Sequence, residues 1–198
     1  IDTGQESQTG DRIKKIENPE ILIAGCGTGQ HSVRVASRYK EAKILAIDLS
    51  LSSLAYAKRK TIELGINNID YMQADILDLE KLNTKLDMIQ SSGVLHHMHN
   101  PMAGWKTLRN CLKNGGLMKV GLYSELARRH IIQIRQELEN SGINLNDNQI
   151  RKIRKNYIDS KVERHEKIKL SNNFYSLSEI RDLLFHVQEH QFTIPKIK

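Results

Sequence analysis

Three glycines, Gly25, Gly27 and Gly29, follow directly on the apolar run Ile21-Leu-Ile-Ala24. Glycine removes the Cβ that holds a ligand off the backbone, and it lets a loop take positive φ. The continuous apolar run predicts a parallel strand covered on both faces. Beyond the loop, Val33 and Ala36 sit three apart in a stretch flanked by polar residues, which predicts a helix over 30–39. A strand that breaks into a glycine-rich turn and then a helix binds part of a nucleotide-like cofactor. The alternative at this point is a glycine-rich turn with no ligand.

Spacing narrows the cofactor. Dinucleotide folds carry G-x-G-x-x-G, with the pyrophosphate at the helix N-terminus. Here the third glycine comes one residue early, and Gln30 stands in its place. A second strand over 43–47 ends at Asp48, about 20 residues beyond the glycines, where an acidic side chain reaches both ribose hydroxyls. Asp48 as a helix cap is the alternative, but Ser50 or Ser52 serves equally well for the helix that runs to about Leu64. His31, in the first turn after the loop, lies over the cofactor, caps the helix or faces solvent.

From here the chain resembles the class I S-adenosylmethionine-dependent methyltransferases, over roughly residues 20–123. Their first motif is similar to Ile21–Gly29, and their ribose ligand to Asp48. Tyr71-Met-Gln-Ala-Asp75-Ile76-Leu resembles the segment whose acidic residue reaches the adenine amino group while the next apolar residue packs on the ring. Leu86-Asp-Met-Ile-Gln-Ser-Ser-Gly-Val-Leu95 resembles the fourth strand, His96-His-Met-His99 the loop after it, and Leu112-Lys-Asn-Gly-Gly-Leu-Met-Lys-Val-Gly the turn into the fifth. The resemblance implies a Rossmann-like, doubly wound, mostly parallel α/β sheet. It also implies S-adenosylmethionine as cofactor and S-adenosylhomocysteine as product. The implied cofactor residues are Gly25, Cys26, Gly27, Gly29, His31, Asp48, Leu49, Asp75, Ile76, Ser92 and Gly93. Segments 121–128 and 174–195 look like a bacterial subgroup often fused to tetratricopeptide repeats. This chain shows no 34-residue repeat itself.

Methyl transfer asks mainly for alignment of an in-line nucleophile; a base is needed only for an acceptor that keeps its proton. His97 is a candidate base, with packing as the alternative. The loop lacks the Asp/Asn-Pro-Pro-aromatic stretch with which adenine amino methyltransferases grip an exocyclic amine. His96, His97 and His99 raise a metal site, but neighbours point to opposite sides of the chain and no carboxylate or cysteine completes the set; no metal is expected. After the fifth strand, Tyr123, Ser124 and Arg128 face the acceptor side, Arg128 being suited to a carboxylate or phosphate. Tyr175, His186, Glu189 and His190 belong to a segment that closes over the site, or else are structural polar residues.

At 198 residues and 39% hydrophobic, the chain fits one domain with a real core. Two cysteines, Cys26 and Cys111, predict a reducing, cytoplasmic setting without disulfides; Cys26 reads as structural. No apolar stretch approaches a membrane span. The net charge of +7 raises nucleic acid as a partner, and residues 124–170 hold 11 basic against 7 acidic residues. The run Arg151-Lys-Ile-Arg-Lys155, followed by Lys161, Arg164, Lys167 and Lys169, has only Tyr157 as an aromatic. It therefore reads as a solvated helix face, or one that contacts an acidic partner, rather than a surface that stacks bases.

The expected organisation is a lead-in over 1–19, ended by Pro19, a cofactor-binding core over 20–123, and a helical insertion and substrate-side segment over 124–198. Strands are expected near 21–24, 43–47, 69–73, 86–91 and 116–122. Ser176 and Glu179 form a capping box for a helix to His186. Members of the family have seven strands, and Phe192-Thr-Ile-Pro-Lys-Ile-Lys at most begins the sixth, so the chain is read as a bacterial fragment. Its fifth strand is then an open edge able to pair in a homodimer. The leading reading is a methyltransferase acting on a small molecule or protein. The alternatives are a non-catalytic S-adenosylmethionine-binding module of a larger protein, and a nicotinamide-dependent oxidoreductase, which the early third glycine and Asp75-Ile76 disfavour.

Overall fold

The structure, a computed structural model, describes residue 13 and residues 15–141 and 146–197. Most of the expected lead-in lies outside those residues. The described residues form two compact units that divide between Leu122 and Tyr123.

In the first unit, five parallel strands lie in the order β3-β2-β1-β4-β5. They are β1 (Glu20–Ala24), β2 (Lys43–Asp48), β3 (Ile69–Gln73), β4 (Leu86–Ser92) and β5 (Leu112–Gly121). Helix α1 (Gln30–Arg38) joins β1 to β2, α2 (Leu51–Glu63) joins β2 to β3, and α3 (Pro101–Asn110) precedes β5. β1 explains the arrangement. Its Ile21 and Ile23 enter one core with Val35, Ala36, Leu54 and Met88. Its Leu22 and Ala24 enter the opposite core with Ile89, Leu95 and Leu108. A strand apolar on both faces is stable only between two layers, which is why the run at 21–24 carries no alternation. Ile13, from the expected lead-in, is buried in the first of these cores.

Chain order runs outward from β1 to β3 on one side and from β4 to β5 on the other. The crevice where that direction reverses, at the carboxyl ends of β1 and β4, is the ligand position of open α/β sheets. β5 corrects the sequence reading, since it begins at Leu112 rather than 116. Leu86 pairs with Leu112 but Met88 with Leu117, so the bulged segment between absorbs Asn114-Gly-Gly116, residues that read as a turn. Lys113 within this bulge bonds both Glu20 and Asp87 at 2.9 Å.

The second unit is helical: α4 (Arg129–Asn140), α5 (Asp147–Asp159), α6 (Glu163–Ile168), α7 (Leu177–Phe185) and the short α8 (Ile194–Ile197). Ile131 and Ile134 of α4, Ile150, Ile153 and Tyr157 of α5, Ile168, Phe174, and Ile180, Leu183 and Leu184 of α7 form its core. These are the i, i+3 and i+4, i+7 spacings of one helix face. Asn146 caps α5 by accepting from Gln149 N–H, and Ser176 caps α7 by accepting from Glu179 N–H. Phe192 makes an isolated parallel bridge to Ser124, and the chain then turns into α8.

Candidate active site

The glycine loop has a division of labour that spacing alone does not show. All three glycines have positive φ, at 78°, 52° and 87° for Gly25, Gly27 and Gly29. A Cβ on Gly25 would lie 2.0 Å from Val94 Cγ2, and one on Gly29 would lie 2.6 Å from Ala57 Cβ. Those two positions are glycine because protein crosses there. A Cβ on Gly27 would meet nothing within 4 Å, so this residue alone of the three leaves open space beside its backbone. The loop is tied to β2 because Gly25 and Cys26 N–H both donate to Ile47 O at 2.9 Å.

Asp48 ends β2 and is shared between two amides. Oδ2 accepts from Gly27 N–H at 2.8 Å and Oδ1 from Ser50 N–H at 2.9 Å. Ser50, not Asp48 or Ser52, caps α2, its hydroxyl accepting from Ser53 N–H. Each carboxylate oxygen keeps a second acceptor site, because an ionised carboxylate offers about four.

Beside this carboxylate lies a pocket of about 230 Å³ lined by Gly25, Ile47, Asp48, Leu49, Ala74, Asp75, Ile76, Gly93, Val94, His97 and Met98. Seven residues singled out from sequence are thus brought together, from the ends of β1, β2 and β4 and the turn after β3. Ile47, Ala74, Val94 and Met98 were not singled out; they adjoin motif residues, but their facing depends on strand register. Asp75 caps the 3₁₀ turn that follows, accepting from Leu77 N–H at 2.9 Å, and Ile76 is buried beside it. His97 closes the 3₁₀ turn after β4, its ring edge-on to buried His96 at 4.3 Å between centroids.

The remaining expected residues lie outside the pocket lining. His31 neither caps α1 nor stands free in solvent: its Nε2 meets Gln90 Oε1 at 2.7 Å, a partner from β4 that local sequence does not announce. Cys26 is buried, and burial followed by the charge of Asp48 pushes its thiol up to about 11. Ser92 faces Gly121, where a Cβ would lie 2.5 Å from Ser92 Oγ.

In the second unit, Arg128, read from sequence as suited to a carboxylate or phosphate, has a carboxylate partner within the chain. It forks onto Glu189 through Nε at 3.0 Å and a terminal nitrogen at 2.8 Å. Its guanidinium also stacks 3.6 Å from the Tyr123 ring centroid. The Glu189 side chain, 1% exposed, takes a second guanidinium from Arg135 at 3.2 Å. Burial raises the Tyr123 phenol, partly offset by Arg128. Tyr175 donates to Lys169 O at 3.1 Å, and His190 meets Gln188 at 3.3 Å.

Comparison with known proteins accords with this geometry. Residues 21–116 match the family model described as a methyltransferase domain. An uncharacterized protein of Synechococcus is 34% identical over 128 residues, covering 64% of this chain and 31% of that protein. Two solved structures of PKMT2 from Rickettsia typhi share the fold. The first has a TM-score of 0.74 at 20% identity and covers 96% of this chain and 40% of that one. The second, in complex with AdoHcy, has a TM-score of 0.71 at 22% identity and covers 94% and 39%. The chain therefore spans about a third of the Synechococcus relative and two fifths of the PKMT2 chain.

Proposed function

We propose that the chain is a class I S-adenosylmethionine-dependent methyltransferase that binds S-adenosylmethionine beside Asp48 and transfers the methyl group to a small molecule or a protein side chain. One observation carries the assignment of the site: the sole open glycine of the loop, Gly27, is hydrogen-bonded to Asp48 at the tip of β2, and Asp48 lines the pocket that holds the family's motif residues.

When bound, this cofactor supplies an electrophilic methyl group carried on a positively charged sulfur. The chain's own residues supply position. Asp48 has acceptor capacity left for the ribose hydroxyls, while its bonds to Gly27 and Ser50 fix the carboxylate's orientation. Asp75 would face the adenine amino group, and buried Ile76, with Leu49, would pack on the ring. Gly93, with positive φ of 78° and nothing within 4 Å of an added Cβ, gives the far wall room for the cofactor's amino-acid end, next to Ser92. His97, on the pocket lining, is the side chain placed to accept a proton from an acceptor that needs it.

Calorimetric titration with S-adenosylmethionine, S-adenosylhomocysteine and NAD tests the reading. Binding of the two sulfur compounds, weakened in Asp48→Ala and absent for NAD, supports it. Binding of NAD alone overturns it.

A further inference from the structure

One flank of α5 presents Arg151, Arg154, Lys155 and Ile158, spaced i, i+3, i+4, i+7, away from the buried face of Ile150, Ile153 and Tyr157. The flank continues onto a neighbouring surface through defined bonds. Arg154 donates to Tyr175 O at 2.8 Å, Tyr175 Oη donates to Lys169 O at 3.1 Å, and Lys169 Nζ donates to Ile158 O at 3.2 Å. These bonds tie the backbone at Ile158, Lys169 and Tyr175 together, and Ile158, Leu170 and Tyr175 are large side chains along it left in water, Leu170 being 85% exposed. Exposed apolar residues scattered singly need no explanation, but a cluster rimmed by polar groups marks an interaction surface.

The flank is predominantly cationic, with exposed Asp159 adjoining Ile158 as the exception. The cations elsewhere in this unit are largely answered: Lys167 by Glu163, Lys169 by Glu166, Arg164 by Glu137 and Arg181 by Asp147. Among the described residues, none of the ion pairs involves Arg151, Lys152, Lys155 or Lys161. Self-pairing removes charge where folding benefits; here it is left out beside exposed Leu170, Ile158 and Tyr175.

We propose that this flank docks an acidic amphipathic helix of a partner protein, whose carboxylates face Arg151 and Lys155 and whose apolar side chains cover Leu170, Ile158 and Tyr175. Charge complementarity supplies steering and orientation, and the apolar cluster supplies the desolvated centre. A nucleic acid fits less well, because of the three exposed side chains only Tyr175 offers a base a surface to stack on. The proposal is independent of the methyl-transfer reading, as none of these residues comes from the first unit.

The test uses the whole chain and a fluorescent 18-residue helical peptide with glutamates on one face and leucines on the other. Single-stranded oligo(U) and phosphatidylserine vesicles serve as competing probes. Expected is saturable peptide binding that weakens with salt and falls at least tenfold in Arg151→Glu/Lys155→Glu and, separately, in Leu170→Ser. Circular dichroism and melting should be unchanged, since all three positions are exposed. Tighter binding of oligo(U) or vesicles than of peptide, peptide binding indifferent to these variants, or no binding would each overturn the proposal.

Discussion

Gly27 N–H donates to Asp48 Oδ2 across 2.8 Å and 21 positions of chain, joining the open point of the glycine loop to the carboxylate at the tip of β2. The bond makes one unit of two motifs that sequence presents separately. Asp48→Ala removes an acceptor from two backbone amides as well as the proposed ribose ligand. Charged hydrogen bonds contribute about 1.5–3 kcal/mol, so S-adenosylmethionine affinity is expected to fall about ten- to a hundredfold by calorimetry. Unchanged affinity would remove Asp48 from the site.

The three glycines are expected to separate by readout. Gly25→Ala and Gly29→Ala bring a methyl group against Val94 and Ala57 at sub-contact distance and positive φ. Both should lower the melting temperature, at a cost of at least the roughly 1–3 kcal/mol typical of overpacking. Gly27→Ala meets no protein atom but keeps a φ of 52° that an L side chain disfavours, so it should lose only the roughly 1–2 kcal/mol of that strain, less than the other two, while losing cofactor binding. Equal melting losses in all three would contradict the division.

Cys26 should be inert. With its thiol raised to about 11 by burial and Asp48, the thiolate fraction at pH 8 is about one in a thousand, and the thiolate is the reacting species. Alkylation by iodoacetamide at pH 8 is expected to be slow in the folded protein and rapid in denaturant. Rapid labelling of native Cys26 would show that the loop opens.

Glu189 holds Arg128 and Arg135 from an almost fully buried position. Removing one member of a buried ionic cluster typically costs about 3–5 kcal/mol. Glu189→Ala should therefore lower the helical unit's unfolding midpoint in urea, followed by circular dichroism. A midpoint equal to the wild type would show that the two arginines find solvent instead.

Asp87 gives a pH dependence of known sign. Burial raises its carboxyl, but the Glu20 N–H and Lys113 outweigh it and hold the pKa below the usual 3.8. A depressed folded value means the contribution is complete above the unfolded pKa and is lost as pH falls through the folded one. Unfolding free energy should decline below about pH 4, and Asp87→Asn should lower it at pH 7 and flatten that decline. A variant with the wild-type acid profile would assign the loss to other carboxylates.

The sequence by itself determined the layered α/β fold, because an uninterrupted apolar strand such as 21–24 has to be covered on both faces, and the helix faces at 131/134 and 150/153/157 follow from their own periodicity. Seven of the pocket residues were also legible, Gly25 and Asp48 from the glycine turn and strand end themselves, His97 as a candidate base, and Leu49, Asp75, Ile76 and Gly93 through the family resemblance. Register and long-range partners were decided only in three dimensions. The bulge that starts β5 at Leu112 depends on how 113–116 meet β4. His31 finds Gln90 only because β4 lies beside β1. Arg128 finds Glu189, 61 positions away. The sequence displays three equivalent glycines. Only Val94 and Ala57, brought in from distant elements, make two of them steric necessities and leave Gly27 open.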